Sequence, residues 1–398
     1  MNRHIIPSPL FGTVRAIPSK SMAHRMFICA ALSNQPTEVS CQGTSKDIEA
    51  TQACLKALRD PKPVLPCSES GSTLRFLLPV VAALGLDADL VMEGRLPQRP
   101  LAPLDQELEA HGVRLTRPQL HILHCAGKLR PGSYTIPGNI TSQYISGLLF
   151  ALPLLDGPST LTVTGKVESA AYIKMTLSAL AQFGIHVRVE DNVYHIPSQK
   201  YVSPGKAVVE GDWSNAAFWL CAGAIGRPVT VTGLDLDTLQ GDKAVLDILQ
   251  RFGAKVHASG RSVTVSPGKL RPIDIDAAAI PDLVPILSVV AAAAPGTTCI
   301  YNAARLRLKE SDRIETVHRL LGGLGADVEE TEDSLLIHGG KQLIGRTVDS
   351  YNDHRIAMSA AIASILCKGE VTVTDAEAVN KSYPRFWREF YQLTMMDY

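Results

Sequence analysis

The sequence predicts an α/β protein built from one βα-rich unit used repeatedly in two multi-repeat lobes, and three observations carry that prediction. An amphipathic helix, a glycine suited to the left-handed position after a helix, and an alternating strand follow one another four times. The glycines of this pattern, Gly112, Gly184, Gly253 and Gly325, recur at intervals of 72, 69 and 72 residues. A chain of 398 residues is long enough for two or three domains with cores of their own.

In chain order, the helices fall before Gly112 (Leu104 to His111), before Gly184 (Leu177 to Phe183), before Gly253 (Val245 to Phe252) and before Gly325 (Val317 to Leu324). Ile48 to Leu58 reads as the helix of a fifth copy without its glycine. A period near 70 residues exceeds the usual solenoid repeat and leaves room in each copy for two helices and several short strands. Breaks between lobes are expected at 15–19, which contains Pro18, and at Glu210-Gly211-Asp212, which closes a strand before an apolar helix.

Composition narrows the function. Thirty-nine basic residues balance 39 acidic ones, so the charge excess of a nucleic-acid binder is missing and any anion must be met by local groups. The apolar stretches 145–155 and 283–294 are interrupted by Pro153 and Pro285 and are too short for a bilayer. The start of the chain lacks an apolar secretory core, and the eight cysteines show no disulfide or CxxC rhythm, which fits a reducing cytoplasm. His121-Ile-Leu-His124-Cys125 has metal-like spacing, but on an alternating strand its two histidines point to opposite faces, so no metal site is expected.

The chemistry lies at the helix starts. Ser19-Lys20-Ser21 with Arg25, Ser70-Gly71-Ser72-Thr73 with Arg75, Thr141-Ser142-Gln143, Lys309-Glu310-Ser311-Asp312-Arg313 and Asn352-Asp353-His354-Arg355 each precede an apolar helix. Hydroxyls and Asp or Asn are ordinary caps. Cations are not, since Arg in a first turn opposes the helix dipole by about 0.3 to 1 kcal/mol. Arg25, Arg75, Arg313 and Arg355 are all expected there, which points to bound phosphate or carboxylate. The chain has neither GxxxxGK[ST] nor GxGxxG, the loops of nucleoside triphosphate and dinucleotide sites.

In their order along nearly the whole chain, these motifs resemble the 5-enolpyruvylshikimate-3-phosphate synthases of the enolpyruvyl transferase family. Further stretches carry the likeness: Gln98-Arg99-Pro100, Glu210-Gly211-Asp212, Ile280-Pro281-Asp282 and Lys381-Ser382-Tyr383-Pro384. The resemblance implies a two-lobed inside-out α/β barrel, each lobe of three βαβαββ-type repeats, with helix N-termini aimed into a cleft between the lobes. The N-terminal lobe would span 18–211, and the C-terminal lobe 1–17 plus 212–398.

By the same resemblance, shikimate 3-phosphate is held by Ser21, Arg25, Thr141, Ser142, Gln143, Ser169, Tyr172, Asp282 and Lys309. Phosphoenolpyruvate is met by Lys20, Gly71, Arg99, Gln143, Arg313, Arg355 and Lys381. The enolpyruvyl group passes to the 5-hydroxyl through a tetrahedral ketal, so one group takes the hydroxyl proton and another delivers a proton to C3. Asp282 is the implied base, with Lys20 its rival or helper, Glu310 the implied acid, and His354 a positioning residue. The implied protein is a cytoplasmic monomer of aromatic amino acid biosynthesis, needing no cofactor or metal and no nucleic acid or membrane partner.

Four stretches depart from the family pattern: the missing glycine before Ser19, Glu69 where Asn is frequent, Ala170-Ala171-Tyr172, and a longer segment between Tyr301 and Lys309 carrying Arg305 and Arg307. Two other readings stand beside the synthase. One is enolpyruvyl transfer to a UDP-amino sugar, against which stand the lack of Cys in 93–99 and the Ser21 after Lys20. The other is a non-catalytic binder of phosphorylated metabolites, which needs no opposed proton handlers.

Overall fold

The computed structural model describes residues 1–394. The chain divides into two compact units, residues 18–209 and residues 1–17 with 210 onward, called here the N-terminal and C-terminal lobes. The return point precedes Gly211 rather than following it. The reason is local: Asp212 N–H donates to Ile17 O at 2.8 Å, and Gln240 donates to Gly211 O at 2.8 Å, which ties both residues to the C-terminal lobe.

Helices α1 (Lys20–Leu32), α2 (Lys46–Ala57), α3 (Gly71–Leu84), α4 (Leu104–Ala110), α5 (Ser142–Ala151) and α6 (Ala170–Gln182) belong to the N-terminal lobe. One complete βαβαββ unit runs Val64–Ser68, α3, Ala88–Met92, α4, then the hairpin Val113–Gln119 and Ile122–Gly127. The first two strands pair in parallel and the hairpin adds antiparallel, its second strand innermost. Ser133–Pro137, α5, Ser159–Thr164, α6, Arg188–Glu190 and Val193–Ile196 repeat the pattern. The third copy is abbreviated: α1, Glu38–Ser40 and α2 are followed directly by the next unit, and Glu38–Ser40 pairs with Lys206–Val208.

The C-terminal lobe holds α7 (Trp213–Ile225), α8 (Val245–Phe252), α9 (Val284–Ala293), α10 (Arg313–Gly323), α11 (His354–Ala363) and α12 (Phe386–Thr394). Its first unit begins with Gly12–Arg15, which pairs in parallel with Val229–Thr232. The whole N-terminal lobe is therefore inserted inside one repeat, between its first strand and its first helix. The second unit, from Ile275–Asp276 through α9 and α10 to Leu335–Gly339, is complete. The third keeps Thr347–Asp349, α11 and Val371–Thr374 but ends in α12 instead of a hairpin, and Arg3–Ile5 completes its sheet. The three βαβαββ-type repeats of each lobe comprise two complete copies and one truncated copy.

The four repeat glycines have φ of +100°, +76°, +102° and +89°, the left-handed values that let a helix turn sharply into a strand. Helices α3, α5, α7, α9 and α11 are buried along almost their full length, and the partly solvated strands wrap them, as in Val229–Thr232 with its alternating burial. Helices that are apolar all round, such as Val284-Pro-Ile-Leu-Ser-Val-Val-Ala, can only be interior. Inside each lobe the helix starts therefore mark where polar chemistry meets the core.

Candidate active site

In the N-terminal lobe the helix starts are capped by hydroxyls. Ser19, Ser45, Ser70 and Thr141 accept from backbone N–H groups of α1, α2, α3 and α5. A hydroxyl cap satisfies a donor without cancelling the positive end of the dipole, so these starts still favour an anion. Two guanidinium groups add to this at α3. A Cβ built on Gly71 would lie 2.6 Å from Arg75 Nη1 and 2.8 Å from Arg99 Nη1, so only glycine lets both come this close. Gln143 links the neighbouring helix: Arg75 donates to its Oε1 at 2.9 Å and its Nε2 donates to Ser72 Oγ at 2.9 Å.

Lys20, the first residue of α1, forms an ion pair with Asp47 of α2 at 2.7 Å. Arg25 is only 2% exposed, and its guanidinium donates to Thr176 Oγ1 and Tyr172 O, each at 2.9 Å, and to Ser21 O. Burial lowers its pKa to about 10, and every one of these acceptors is neutral. A buried guanidinium with its charge unmatched is a demand for an anion. Ser169 precedes α6 with φ of +54°, and Tyr172 enters through its carbonyl. Arg25 and Arg75 are the sixth and fifth residues of their helices rather than first-turn residues, because α1 opens at Lys20 and α3 at Gly71.

The C-terminal lobe has carboxylate caps. Asp212, Asp312 and Asp353 accept from Asn215, Glu315 and Arg355 N–H at the starts of α7, α10 and α11. Arg313, 1% exposed, holds three carboxylates: Nη1 donates to Asp282 Oδ1 at 2.9 Å, Nη2 to Glu310 Oε2 at 2.8 Å and Nε to Asp353 Oδ2 at 2.9 Å. Arg355 donates to the other Asp282 oxygen at 3.0 Å and to Ser214 Oγ at 3.0 Å, and Lys309 lies 3.6 Å from Asp282. Burial alone would raise the Asp282 pKa, but Arg355, Lys309 and Arg313 outweigh it and hold the group well below the usual carboxylate range. Burial lowers the Lys309 pKa to about 8 despite Asp282, with the Arg313 charge acting in the same direction as burial.

Lys381, largely buried, donates to Asn352 O at 2.6 Å, and Asn352 sits with Tyr351 in the left-handed region at φ of +51° and +52°. His354 is buried with Nδ1 3.8 Å from Asp353. Arg305 donates to Ala278 O on the segment leading to Asp282, and Arg307 grips Asp312 at 2.7 Å and the turn at Thr331 and Glu332, so the long 304–308 segment braces Lys309 and Glu310.

In the N-terminal lobe Lys20 pairs with Asp47, Arg25 reaches Ser21 and Tyr172, Arg75 and Arg99 converge on Gly71 with Gln143 on Arg75, and Thr141, Ser142 and Ser169 stand at the starts of α5 and α6; in the C-terminal lobe Asp282, Lys309, Glu310, Arg313 and Arg355 are joined by ion pairs, and Lys381 reaches Asn352. Sequence reading missed Asp47 and Thr176, and treated Asp353 as a cap alone. Asp47 looks like an acid matching the α2 dipole, and nothing in the spacing ties it to Lys20.

Cation-rich helix starts in the N-terminal lobe, and three carboxylates gathered on the single arginine Arg313 in the C-terminal lobe, are arrangements suited to small anions and to proton exchange. Residues 5–390 match the family described as EPSP synthase (3-phosphoshikimate 1-carboxyvinyltransferase), and the chain belongs to that family. Relatives named 3-phosphoshikimate 1-carboxyvinyltransferase from Clostridium kluyveri and Clostridium acetobutylicum are each 40% identical, over 98% of this chain and 96% of theirs. An EPSP synthase structure from Acinetobacter baumannii shares the fold with a TM-score of 0.80 at 24% identity, covering 99% of this chain and 98% of that one. The enolpyruvyl transferase NikO from Streptomyces tendae also shares it, with a TM-score of 0.78 at 18% identity, over 98% of this chain and 96% of that one.

Proposed function

We propose that this chain transfers the enolpyruvyl group of phosphoenolpyruvate to the 5-hydroxyl of shikimate 3-phosphate and releases phosphate. The observation that carries the mechanism is the attachment of Asp282 and Glu310 to the same guanidinium, that of Arg313, at 2.9 and 2.8 Å. Two acids on one rigid fork are held at a fixed separation, which an addition followed by an elimination requires.

In the addition, the 5-oxygen bonds to C2 of phosphoenolpyruvate, its proton goes to Asp282, and Glu310 delivers a proton to C3. In the elimination, Glu310 takes a proton back from C3, the C2–O bond to phosphate breaks, and the double bond forms again. Asp282 is held anionic by three cations in the resting site, so it orients the hydroxyl first. Lys20 assists with the proton, and Lys20, Arg99, Arg313, Arg355 and Lys381 stabilise the departing phosphate. Phosphoenolpyruvate is met by these groups with Gly71 and Gln143. Shikimate 3-phosphate is met by Ser21, Arg25, Thr141, Ser142, Gln143, Ser169, Tyr172, Asp282 and Lys309.

Phosphate release on mixing the two substrates tests the reading. Release that depends on both is expected; tight binding without release would favour the metabolite-binding reading, and release only with a UDP-amino sugar the sister transferase. We also infer a monomer without cofactor, working in the cytoplasm, a compartment that suits eight free thiols. Among the described residues no helix is long and apolar enough to cross a membrane.

A further inference from the structure

Behind the opening of α3 lies a chain of polar groups that the proposed reaction does not use. His24 of α1 is fully buried, with Nδ1 2.7 Å from Thr51 Oγ1 on α2. Thr51 Oγ1 is 2.6 Å from Thr73 Oγ1, and Thr73 donates to Ser70 Oγ at 2.7 Å, with Asp47 O a much longer alternative acceptor at 3.5 Å. Ser70 Oγ also accepts the Thr73 backbone N–H at 3.2 Å, as cap of α3. None of the four side chains is more than 1% exposed.

Such a chain can run in either of two directions. If Nδ1 carries the imidazole proton, His24 donates to Thr51, Thr51 to Thr73 and Thr73 to Ser70, and every oxygen is matched. If Nε2 carries it, a buried N–H is left without an acceptor, because Nε2 has no partner among the described residues. An orphaned N–H is a rarer and costlier defect than an unfilled lone pair. Burial, aided by the charges of Lys20 and Arg25, keeps the ring well below the usual imidazole range, so the cation does not enter. In the favoured direction Ser70 Oγ accepts twice, and its proton is the only one in the chain not consumed within it. The next residue is Gly71, on which Arg75 and Arg99 converge.

Resting on the reading that an anion binds at the opening of α3, we propose that His24 is a positioning residue. Its Nδ1–H fixes a one-way chain through Thr51 and Thr73 that commits the Ser70 hydroxyl to donate to that anion. Hydrogen bonds aligned head to tail polarise one another, so the last donor is strengthened by those behind it. His24 touches no substrate and acts only through this chain.

The tautomer can be read without turnover, from long-range proton–nitrogen-15 correlations of His24 in the full chain. Protonation at Nδ1 is expected, and protonation at Nε2 overturns the proposal whatever the activity. Thr51→Val keeps the volume and cuts the chain. It should raise the phosphoenolpyruvate KM about tenfold, the worth of one hydrogen bond to a charged group, and leave the KM for shikimate 3-phosphate unchanged. Ser70→Ala should do the same, and the two together no more than either alone. Additive losses, or equal rises in both KM values, would make the chain mere packing. His24→Asn, which keeps a donor near the Nδ1 position, should restore what His24→Leu loses, and a failure to do so also overturns the proposal. A wild-type chain inactive on these substrates would remove the functional reading, while the tautomer would still decide the direction of the chain.

Discussion

Arg313 shows how much one side chain can control. Its fork reaches Asp282, Glu310 and Asp353, and the last is fully buried, so shortening Arg313 leaves a carboxylate in the interior without its main cation. Arg313→Met should cost about 3 to 5 kcal/mol of stability, the usual consequence of breaking a buried pair from one side. Glu310 is partly exposed and packs no core, so Glu310→Gln should change stability by less than about 1 kcal/mol while lowering kcat by about a hundredfold or more. Melting curves and phosphate release on the same samples separate the two; equal stability losses would mean that Glu310 is scaffold.

Lys309 gives the pH dependence. Its pKa of about 8 in the fold lies below the ordinary lysine value, so it loses its charge as pH rises through about 8 and affinity for shikimate 3-phosphate should fall there. Stability moves the other way. Between about 8 and the unfolded value near 10.5 the unfolded chain binds the extra proton, so the Lys309 contribution to stability rises with pH. The difference in stability between the wild type and Lys309→Met across that window isolates the contribution from other titrating groups, and a flat difference would refute the shift. Lys20, Asp282 and Glu310 can be read in the sequence because their motifs are local. Asp47 cannot, because its partner lies 27 residues away on another helix.

At the scale of elements, the repeat was legible because a glycine after a helix leaves a spacing in the sequence. The conformational reason is visible at Gly253, with φ of +102° and a would-be Cβ only 2.2 Å from Lys269 O. Gly165 also has a positive φ, of +70°, but nothing lies within 4 Å of its would-be Cβ. Gly165→Ala should therefore cost about 1 kcal/mol for the backbone alone, and Gly253→Ala clearly more, about 2 to 4 kcal/mol, since a backbone carbonyl must move. Denaturant midpoints on the pair check this, and equal costs would mean that the clash relaxes freely. Helix starts were less legible. Ser19-Lys20-Ser21 offers two possible caps, and which one is used decides whether Arg25 falls in the first turn or the second. Of the truncated third copies, the N-terminal one shows in the sequence only through its helix at Ile48 to Leu58, and the C-terminal one not at all, because both lack the glycine that marks the others.

At the scale of the molecule, the two lobes differ in how the chain makes them. The N-terminal lobe is one continuous segment with its own apolar core, in which Phe76, Leu148, Phe150 and Leu180 are fully buried. The C-terminal lobe takes two strands, Arg3–Ile5 and Gly12–Arg15, from the far side of the insertion and packs Ile5, Leu10 and Val14 into its core. Residues 210–394 alone would expose the edge of Val229–Thr232 and open the holes that Leu10 and Val14 fill, at about 2 to 5 kcal/mol for each large apolar side chain removed. Yet the ends of the insertion meet: Asp212 N–H donates to Ile17 O at 2.8 Å, so a linker of a few glycines can join 17 to 210. Residues 18–209 and the linked chain should each melt cooperatively by circular dichroism, and residues from 210 onward alone should not. A cooperative melt from that last piece would show that the two borrowed strands are not needed for the fold of their lobe.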